Sequence, residues 1–407
     1  MNPAPERSVF ILDDEQEFRE DLGEFLEGQG YRVATAGDAR FFTDADMADH
    51  DVLLLDLAMP SIDGMEVLKY LSRHPKAPAV ILLSGSGEDV IRTVADAARR
   101  DGLAVLGLLH KPFDPQDLLH LLEADASLPT RDKAVPVREP KAVLAALRAA
   151  LANSSLPVQF QPLVQAETLA FAGAEALLDG TVPGIGFVGP AQILAAAASD
   201  SALSLAITQH VLTEAVAVCV RWRALGWDGK VSVNLPIDAL LTAGVAGALT
   251  SIVQAAGLPT SSVVFELTED ALYIASSEAL SALARLRIAG FGLALDDVGQ
   301  RQSGLLQIAN LPVTEIKIDM ELLRDARDWG KARSVFQSIA DLGHGLQLYV
   351  VAEGVETPAD LALVRSSAVD LVQGFIVARK MKADDLLALL GQCGDHQSSL
   401  VAVVGKQ

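Results

Sequence analysis

The chain has 407 residues, half of them hydrophobic, with 32 basic against 53 acidic side chains and a formal charge of −21. That composition excludes a mainly disordered chain, and such an acidic surface repels nucleic acid and anionic membrane where no basic patch intervenes; none is visible. Two cysteines, Cys219 and Cys393, exclude a disulfide scaffold and a cysteine-rich zinc site, and suit a reducing cytoplasmic setting. No uninterrupted apolar run approaches the roughly 18 residues that span a bilayer, and the N-terminus lacks the basic and apolar regions of a signal peptide.

The first 130 residues hold 25 acidic and 11 basic side chains, so the acidic excess is concentrated there. Four short apolar runs, 9–12, 52–55, 80–83 and 105–109, read as buried strands, and helical patterns separate them at 17–29, 64–72, 88–100 and 115–123. This alternation predicts a doubly wound parallel α/β sheet. Each strand runs into a chemically useful residue: Asp13 and Asp14, then Asp56, then Ser84, then Lys111. In a parallel sheet these ends meet at the carboxyl edge. Carboxylates gathered there repel each other unless a hard cation such as Mg²⁺ sits among them, and a carboxylate beside such an ion can accept a phosphoryl group.

Residues 126–140, ASLPTRDKAVPVREP, carry three prolines and no apolar period, which predicts a linker or the lead-in to a helix. Beyond it the alternation repeats on a larger scale. Strands are predicted at 158–164, 170–178, 230–234, 263–267, 291–296, 315–318, 348–352 and 371–377. Eight strands with intervening helices over about 250 residues fit a β/α barrel of the TIM type. The strand ends supply Glu175, Asn234, Glu266, Asp296, Lys317 and Glu353, and in a barrel those ends converge on one mouth. Asp296 and Asp297 are consecutive, so regular strand geometry points their carboxylates to different sides, and one can bridge two ions while the other serves the second. Asn234 offers a neutral oxygen, Lys317 can position a water or offset charge, and Glu353 can act as general base.

The order of motifs carries two resemblances. I-L-D-D at 11–14, L-L-L-D-L-A-M-P ending at Pro60, S-G at Ser84 and K-P-F at Lys111 resemble the receiver domain of two-component response regulators, of flavodoxin-like fold. The resemblance implies that Asp56 is phosphorylated by a sensor histidine kinase, that Asp13, Asp14 and Asp56 hold one Mg²⁺, and that Ser84 and Lys111 contact the phosphoryl oxygens. The family's aromatic switch position is occupied by Leu108. The second part resembles the EAL domain, a cyclic di-GMP phosphodiesterase family. The motifs are Phe160-Gln161-Pro162, Glu175-Ala176-Leu177, Ser232-Val233-Asn234, Glu266-Leu267-Thr268-Glu269, Asp296-Asp297, Lys317-Ile318-Asp319, the 352–357 segment AEGVET and Gln373-Gly374-Phe375. The resemblance implies a barrel whose first strand is antiparallel. It also implies two Mg²⁺ or Mn²⁺ ions on Glu175, Asn234, Glu266, Asp296 and Asp297, with Lys317 and Glu353 serving the attacking water. Gln161, Leu178 and Gln373 would line the substrate, and Glu356 would steady a neighbouring loop.

Together these readings give a receiver domain at 1–125, a linker at 126–140, an EAL domain at 141–395 and a tail at 396–407. They imply a cytoplasmic, phosphorylation-controlled enzyme that hydrolyses cyclic di-GMP to pGpG, forms a homodimer or higher homo-oligomer, and neither binds DNA nor inserts in a membrane. Three departures from the family pattern keep a second function open, a weak or inactive barrel that binds cyclic di-GMP or a protein as a signalling module. Asp179 stands where the family places an arginine, which removes a bidentate donor and adds a repelling charge. The loop 298–304, VGQRQSG, departs from the family's F-G-T-G-Y-S-S, though Arg301 within it could restore a cation. Ala197-Ala198 replaces a usual A-E. The glycine-rich run 184–189 fits G-x-G-x-x-G but has no strand before it and no acid at the right distance after it, so it reads as a loop.

Overall fold

The computed structural model describes residues 7–59, 64–74, 77–85, 88–124, 140–198, 200–268, 277–299, 308–393 and 399–400. The chain divides into two compact units at Ala134/Val135.

In the first unit the described elements are β1 (Ser8–Leu12), α1 (Gln16–Gly28), β2 (Arg32–Ala36), α2 (Asp44–Asp49), β3 (Val52–Asp56), α3 (Gly64–Leu71), β4 (Ala79–Ser84), α4 (Glu88–Arg100), β5 (Val105–His110) and α5 (Pro115–Ala124). The five strands pair in the order β2-β1-β3-β4-β5, every described pairing parallel. The doubly wound prediction is therefore met, with one strand more than the apolar runs showed. β2, with sequence RVATA, lies at the sheet edge and is only partly buried, so it lacks the continuous apolar run of the central strands. Those central strands serve both faces. In β3, Leu53 and Leu55 pack into one core while Val52 and Leu54 pack into the other, as a period of two requires. Fully burying each such side chain is worth about 1.5–3 kcal/mol, which is why VLLLD forms a strand between two helical layers.

The second unit begins with α6 (Pro140–Ala152), formed from the alanine-rich segment. Of the expected linker, residues 126–139 lie outside the described residues and Pro140 opens this helix. There follow β6 (Val158–Gln165), β7 (Phe171–Leu178), a two-stranded hairpin β8 (Thr181–Val182) and β9 (Gly186–Phe187), α7 (Pro190–Ala197), α8 (Ser201–Ala224), β10 (Lys230–Asn234), α9 (Ile237–Leu240), α10 (Val245–Ala255), β11 (Val263–Thr268) and α11 (Ser277–Ile288). The remainder is β12 (Gly292–Val298), β13 (Glu315–Ile318), α12 (Met320–Asp328), α13 (Gly330–Gly345), β14 (Tyr349–Ala352), α14 (Pro358–Ser366), β15 (Leu371–Val372) and α15 (Ala383–Gln392). Eight of these strands close a barrel in the order β10-β11-β12-β13-β14-β15-β6-β7. β6 runs antiparallel to both its neighbours, β7 and β15, while the other described pairs are parallel.

Several boundaries differ from expectation for physical reasons. The predicted strand 371–377 stops at Val372, because Gly374 turns the chain so close to Val355 that a Cβ there would collide with the Val355 carbonyl. The glycine run 184–189 makes the β8–β9 hairpin turn and ends at Gly189, which caps α7 with φ +89°. α8 is the one described helix long and apolar enough to cross a membrane, with mean hydropathy 1.6. It packs in the barrel wall, burying Ile207, Val211, Ala215 and Trp222 in the core of this unit. Ser399 and Leu400, beyond the expected end of the domain, also belong to the barrel unit: Ser399 bridges Ala170, and the buried Leu400 donates its N–H to the Leu169 carbonyl (3.0 Å).

Candidate functional site

At the carboxyl edge of the first unit, Lys111 Nζ lies 2.6 Å from Asp13 Oδ2 and 2.7 Å from Asp56 Oδ2. Asp13 is fully buried and Asp56 nearly so. Burial pushes the Asp13 carboxyl above its usual range despite Lys111 beside it. Burial works against the Lys111 ammonium, but hydrogen bonds to Asp13 and Asp56 outweigh it and raise its pKa. Ser84 is buried at the end of β4, and its carbonyl accepts the Lys111 backbone N–H (2.9 Å). Phe18 lies beneath the ammonium, 4.4 Å away at its ring centre. Asp14 is exposed and stands outside this group; Glu15 takes part instead, within the set of oxygens that Asp13 and Asp56 bring within 4.8 Å of one another. The Asp13 side chain accepts the Glu15 N–H (3.0 Å), a local turn that aims residue 15 at the edge.

The barrel mouth is built around one lysine. Lys317, at the end of β13, is 1% exposed. Its Nζ lies 2.5 Å from Glu353 Oε1, 3.0 Å from Glu266 Oε2, 3.3 Å from Asp296 Oδ1 and 3.4 Å from Glu175 Oε2. These five residues come from β7, β11, β12, β13 and the residue just after β14, so barrel closure alone brings them together. Gln373 donates to Glu175 Oε2 (2.8 Å) and Asn234 to Glu175 Oε1 (3.1 Å). Gln161 pairs across the β6–β7 ladder with Glu175 and donates to the Ala378 carbonyl (3.4 Å).

Four carboxylates around one ammonium leave a largely buried cluster with an excess of acidic groups. Burial alone would strip Lys317 of its proton; Asp296, Glu175, Glu266 and Glu353 overturn that and hold its pKa well above the usual value. Burial and the neighbouring Glu175 push the Glu266 carboxyl well up, while Lys317 and the Gln373 and Asn234 amides outweigh burial at Glu175 and lower it. Glu353 is pushed up to about 8, by burial first and then by Asp296 and Glu175, against the pull of Lys317. Asp297 is pushed up to about 6 by burial, Asp296 and Asp319.

Asp296 and Asp297 depart from the expected alternation. The register breaks between Leu295 and Val298, and Asp297 adopts a left-handed φ of 59°. A carboxylate oxygen of each then falls within 4.8 Å of the other and of Glu353, so both serve the same mouth. Lys317 approaches Asp296 Oδ1 off the direction of a hydrogen bond, and that buried oxygen has no hydrogen-bond partner among the described residues. An orphaned oxygen, surplus negative charge and an all-oxygen donor set fit hard divalent cations.

A cavity of about 340 Å³ opens above the cluster, lined by Gln161, Glu175, Asp296, Glu353 and Gln373 among others. Glu356, beside it, pairs with Arg324 (3.0 Å) and Arg327 (3.4 Å) of α12. Arg327 also grips buried Asp360 through two contacts, 2.6 and 2.8 Å, and Asp360 closes the capping box of α14 with Thr357. This network holds the loop that carries Glu353. Leu178 lines a separate apolar cavity next to Asn234. Asp179 is half-buried, and its Oδ1 accepts the Thr181 N–H (2.6 Å) to start the β8–β9 hairpin. Arg301 and Glu269 lie outside the described residues.

Comparison with known proteins assigns both units. The response regulator receiver domain matches residues 9–123 and the EAL domain matches residues 144–380. The cyclic di-GMP phosphodiesterase RocR of Pseudomonas aeruginosa is 28% identical over 338 residues, covering 83% of this chain and 86% of that protein. The bifunctional diguanylate cyclase/cyclic di-GMP phosphodiesterase MucR of the same organism is 32% identical over 243 residues; the match takes in 60% of this chain but only 35% of MucR. The solved structure of the PaMucR phosphodiesterase in a cyclic di-GMP complex aligns with a TM-score of 0.56 at 31% identity, covering 60% of this chain and 99% of that one. With more than half of its length matched by that domain and the receiver preceding it, the chain belongs to the EAL domain family and carries an N-terminal response regulator receiver domain.

Proposed function

We propose that this protein is a response regulator whose barrel hydrolyses cyclic di-GMP to linear pGpG under the control of phosphorylation at Asp56. The observation that carries the reading is the Lys317 cluster: one buried ammonium against Glu175, Glu266, Asp296 and Glu353, open to a cavity at the barrel mouth. RocR and MucR, named for the same activity, support it.

Glu175, Asn234, Glu266, Asp296 and Asp297 would hold two Mg²⁺ or Mn²⁺ ions. Such ions, when bound, offset phosphodiester charge and sharpen the nucleophile. The residues do the rest. Glu353 accepts a proton from the attacking water, whose oxygen bonds to phosphorus as one P–O bond of the ring breaks and the departing oxygen is protonated. Lys317 fixes Glu353 at 2.5 Å and keeps the base aimed at the cavity. Gln161 and Gln373 line the approach to Glu175, Leu178 meets the apolar part of the substrate, and Glu356 braces the loop that presents Glu353.

In the first unit Asp56 takes a phosphoryl group from a sensor histidine kinase. Asp13, Asp14 and Asp56 would hold one Mg²⁺, with Glu15 close enough to join them, and Lys111 and Ser84 would contact the phosphoryl oxygens. The deciding experiment incubates the purified chain with cyclic di-GMP and Mg²⁺ or Mn²⁺ and resolves products by chromatography. Accumulation of pGpG supports the enzyme; binding of cyclic di-GMP without product replaces it with the signalling-module reading.

A further inference from the structure

Substrate for this barrel carries two phosphates, yet the mouth it must enter is acidic. The cations nearby are mostly committed. Lys317 is buried among four carboxylates, Arg324 pairs with Glu356, and Arg379 stacks on Phe375 with its guanidinium 4.0 Å from the ring centre. Lys380 is different. It is exposed and, among the described residues, makes no ion pair, hydrogen bond or ring contact.

Its position is well defined all the same. Met381, the next residue, exchanges two backbone hydrogen bonds with Phe160 of β6 (2.7 and 2.9 Å), which anchors this stretch to the barrel wall. Lys380 thereby forms part of the rim of a cavity of about 170 Å³ whose walls include Leu178, Leu194, Val211, Asn234 and Pro236. Asn234 connects the cavity to the acid cluster through its 3.1 Å hydrogen bond to Glu175. An apolar slot of that size accepts a planar base, and a free ammonium at its rim meets the phosphate attached to that base.

We propose that Lys380 is a substrate-binding residue of this barrel, contacting a phosphate oxygen of the cyclic dinucleotide while a base occupies the slot beside Leu178. The inference rests on the phosphodiesterase reading above and adds a source of positive charge that, among the described residues, is not already paired. Asp179 cannot supply it, being an anion engaged in the turn to β8. A lysine suits the task, because its flexible stem delivers a point charge without the fixed geometry of a guanidinium.

The test measures steady-state hydrolysis of cyclic di-GMP with Mn²⁺ by the full chain and by Lys380→Ala, Lys380→Arg and Lys382→Ala. Lys382 is exposed two residues away and lines none of these cavities, so its variant reports the general loss of one positive charge. Loss of one charged contact to phosphate raises KM about tenfold in Lys380→Ala and leaves kcat nearly unchanged. Lys380→Arg recovers most of the affinity, and Lys382→Ala matches wild type. A wild-type KM in Lys380→Ala, or an equal rise in Lys382→Ala, overturns the assignment while the enzyme reading stands. If wild type yields no product, the enzyme reading falls, and equilibrium binding of cyclic di-GMP decides the role of Lys380. Affinity reduced about tenfold in Lys380→Ala alone upholds it, and unchanged affinity or no binding by any form ends it.

Discussion

Arg327 Nε meets Asp360 Oδ1 at 2.6 Å while Arg327 Nη2 meets Asp360 Oδ2 at 2.8 Å, and the carboxylate in this pair is completely buried. Asp360 also accepts the backbone N–H groups of Glu356 (3.0 Å) and Thr357 (2.8 Å). One carboxylate thus ties α12, α14 and the Glu353 loop together. Asp360→Ala strands the guanidinium and the two N–H groups, so we expect about 2–4 kcal/mol of lost stability in the barrel unit, read by denaturant unfolding. Burial pushes the Asp360 carboxyl up, but Arg327 and the two N–H donors win and lower it. A depressed folded pKa contributes stability that is present above the unfolded value near 4 and is lost as pH falls through the folded value. Unfolding curves of wild type and Asp360→Ala should therefore converge below about pH 4; a gap that widens on acidification would contradict the pairing.

Glu353→Gln keeps the shape of the mouth and removes the proposed base. Turnover of cyclic di-GMP should fall by about 10²–10⁴ while binding persists. A variant that retains most of its turnover moves the base to another residue.

Divalent-metal binding should release protons. Glu353 is pushed up to about 8 and Asp297 to about 6, with Glu266 also raised, so cations that bind here should compete with protons near neutral pH. Apparent Mn²⁺ affinity should climb from pH 6 to 8 and level off above. Calorimetric titrations in buffers of different ionisation enthalpy read this directly; an enthalpy independent of the buffer would show the mouth to be already ionised.

Treatment with acetyl phosphate and Mg²⁺ should label Asp56 and leave Asp56→Asn unlabelled, as mapped by mass spectrometry. Asp56 is buried against Lys111 at 2.7 Å, so label found elsewhere in the variant would dismiss that carboxylate as the acceptor.

Asp179→Asn preserves the acceptor for the Thr181 N–H and deletes only the charge. Cyclic di-GMP binding should tighten a few-fold, in line with charge pairs in partly screened settings. Asp179→Arg tests charge and turn together and should lose part of that gain by disturbing the hairpin.

What the sequence made legible follows from how loudly each residue's environment is written in its neighbours. VLLLD could be read as a central strand because both its faces are buried. RVATA could not, since an edge strand needs only half that apolar content. The acids at the barrel mouth were legible because strand ends of parallel elements converge whatever the loops do. The joint service of Asp296 and Asp297 was hidden, because it depends on the left-handed backbone at Asp297, which no periodicity announces. The approach of Glu15 to Asp13 and Asp56 was hidden, since it depends on a turn closed by the Asp13 side chain. Lys380 sits in the basic string RKMK and resembles any surface lysine until Met381 is seen bonded to Phe160.

The reversed direction of β6 has a mechanical consequence. In an all-parallel barrel the polypeptide enters at the floor, far from the chemistry. Here Val158 stands opposite Leu178, so β6 starts at the upper rim and descends. The incoming segment after α6 therefore passes the working end of the barrel first, and the Pro157 carbonyl accepts the Asp179 N–H there (3.3 Å). The segment leading into β6 is thereby tied directly to the turn that follows β7, on the side where the strand ends gather their carboxylates, without crossing the barrel wall.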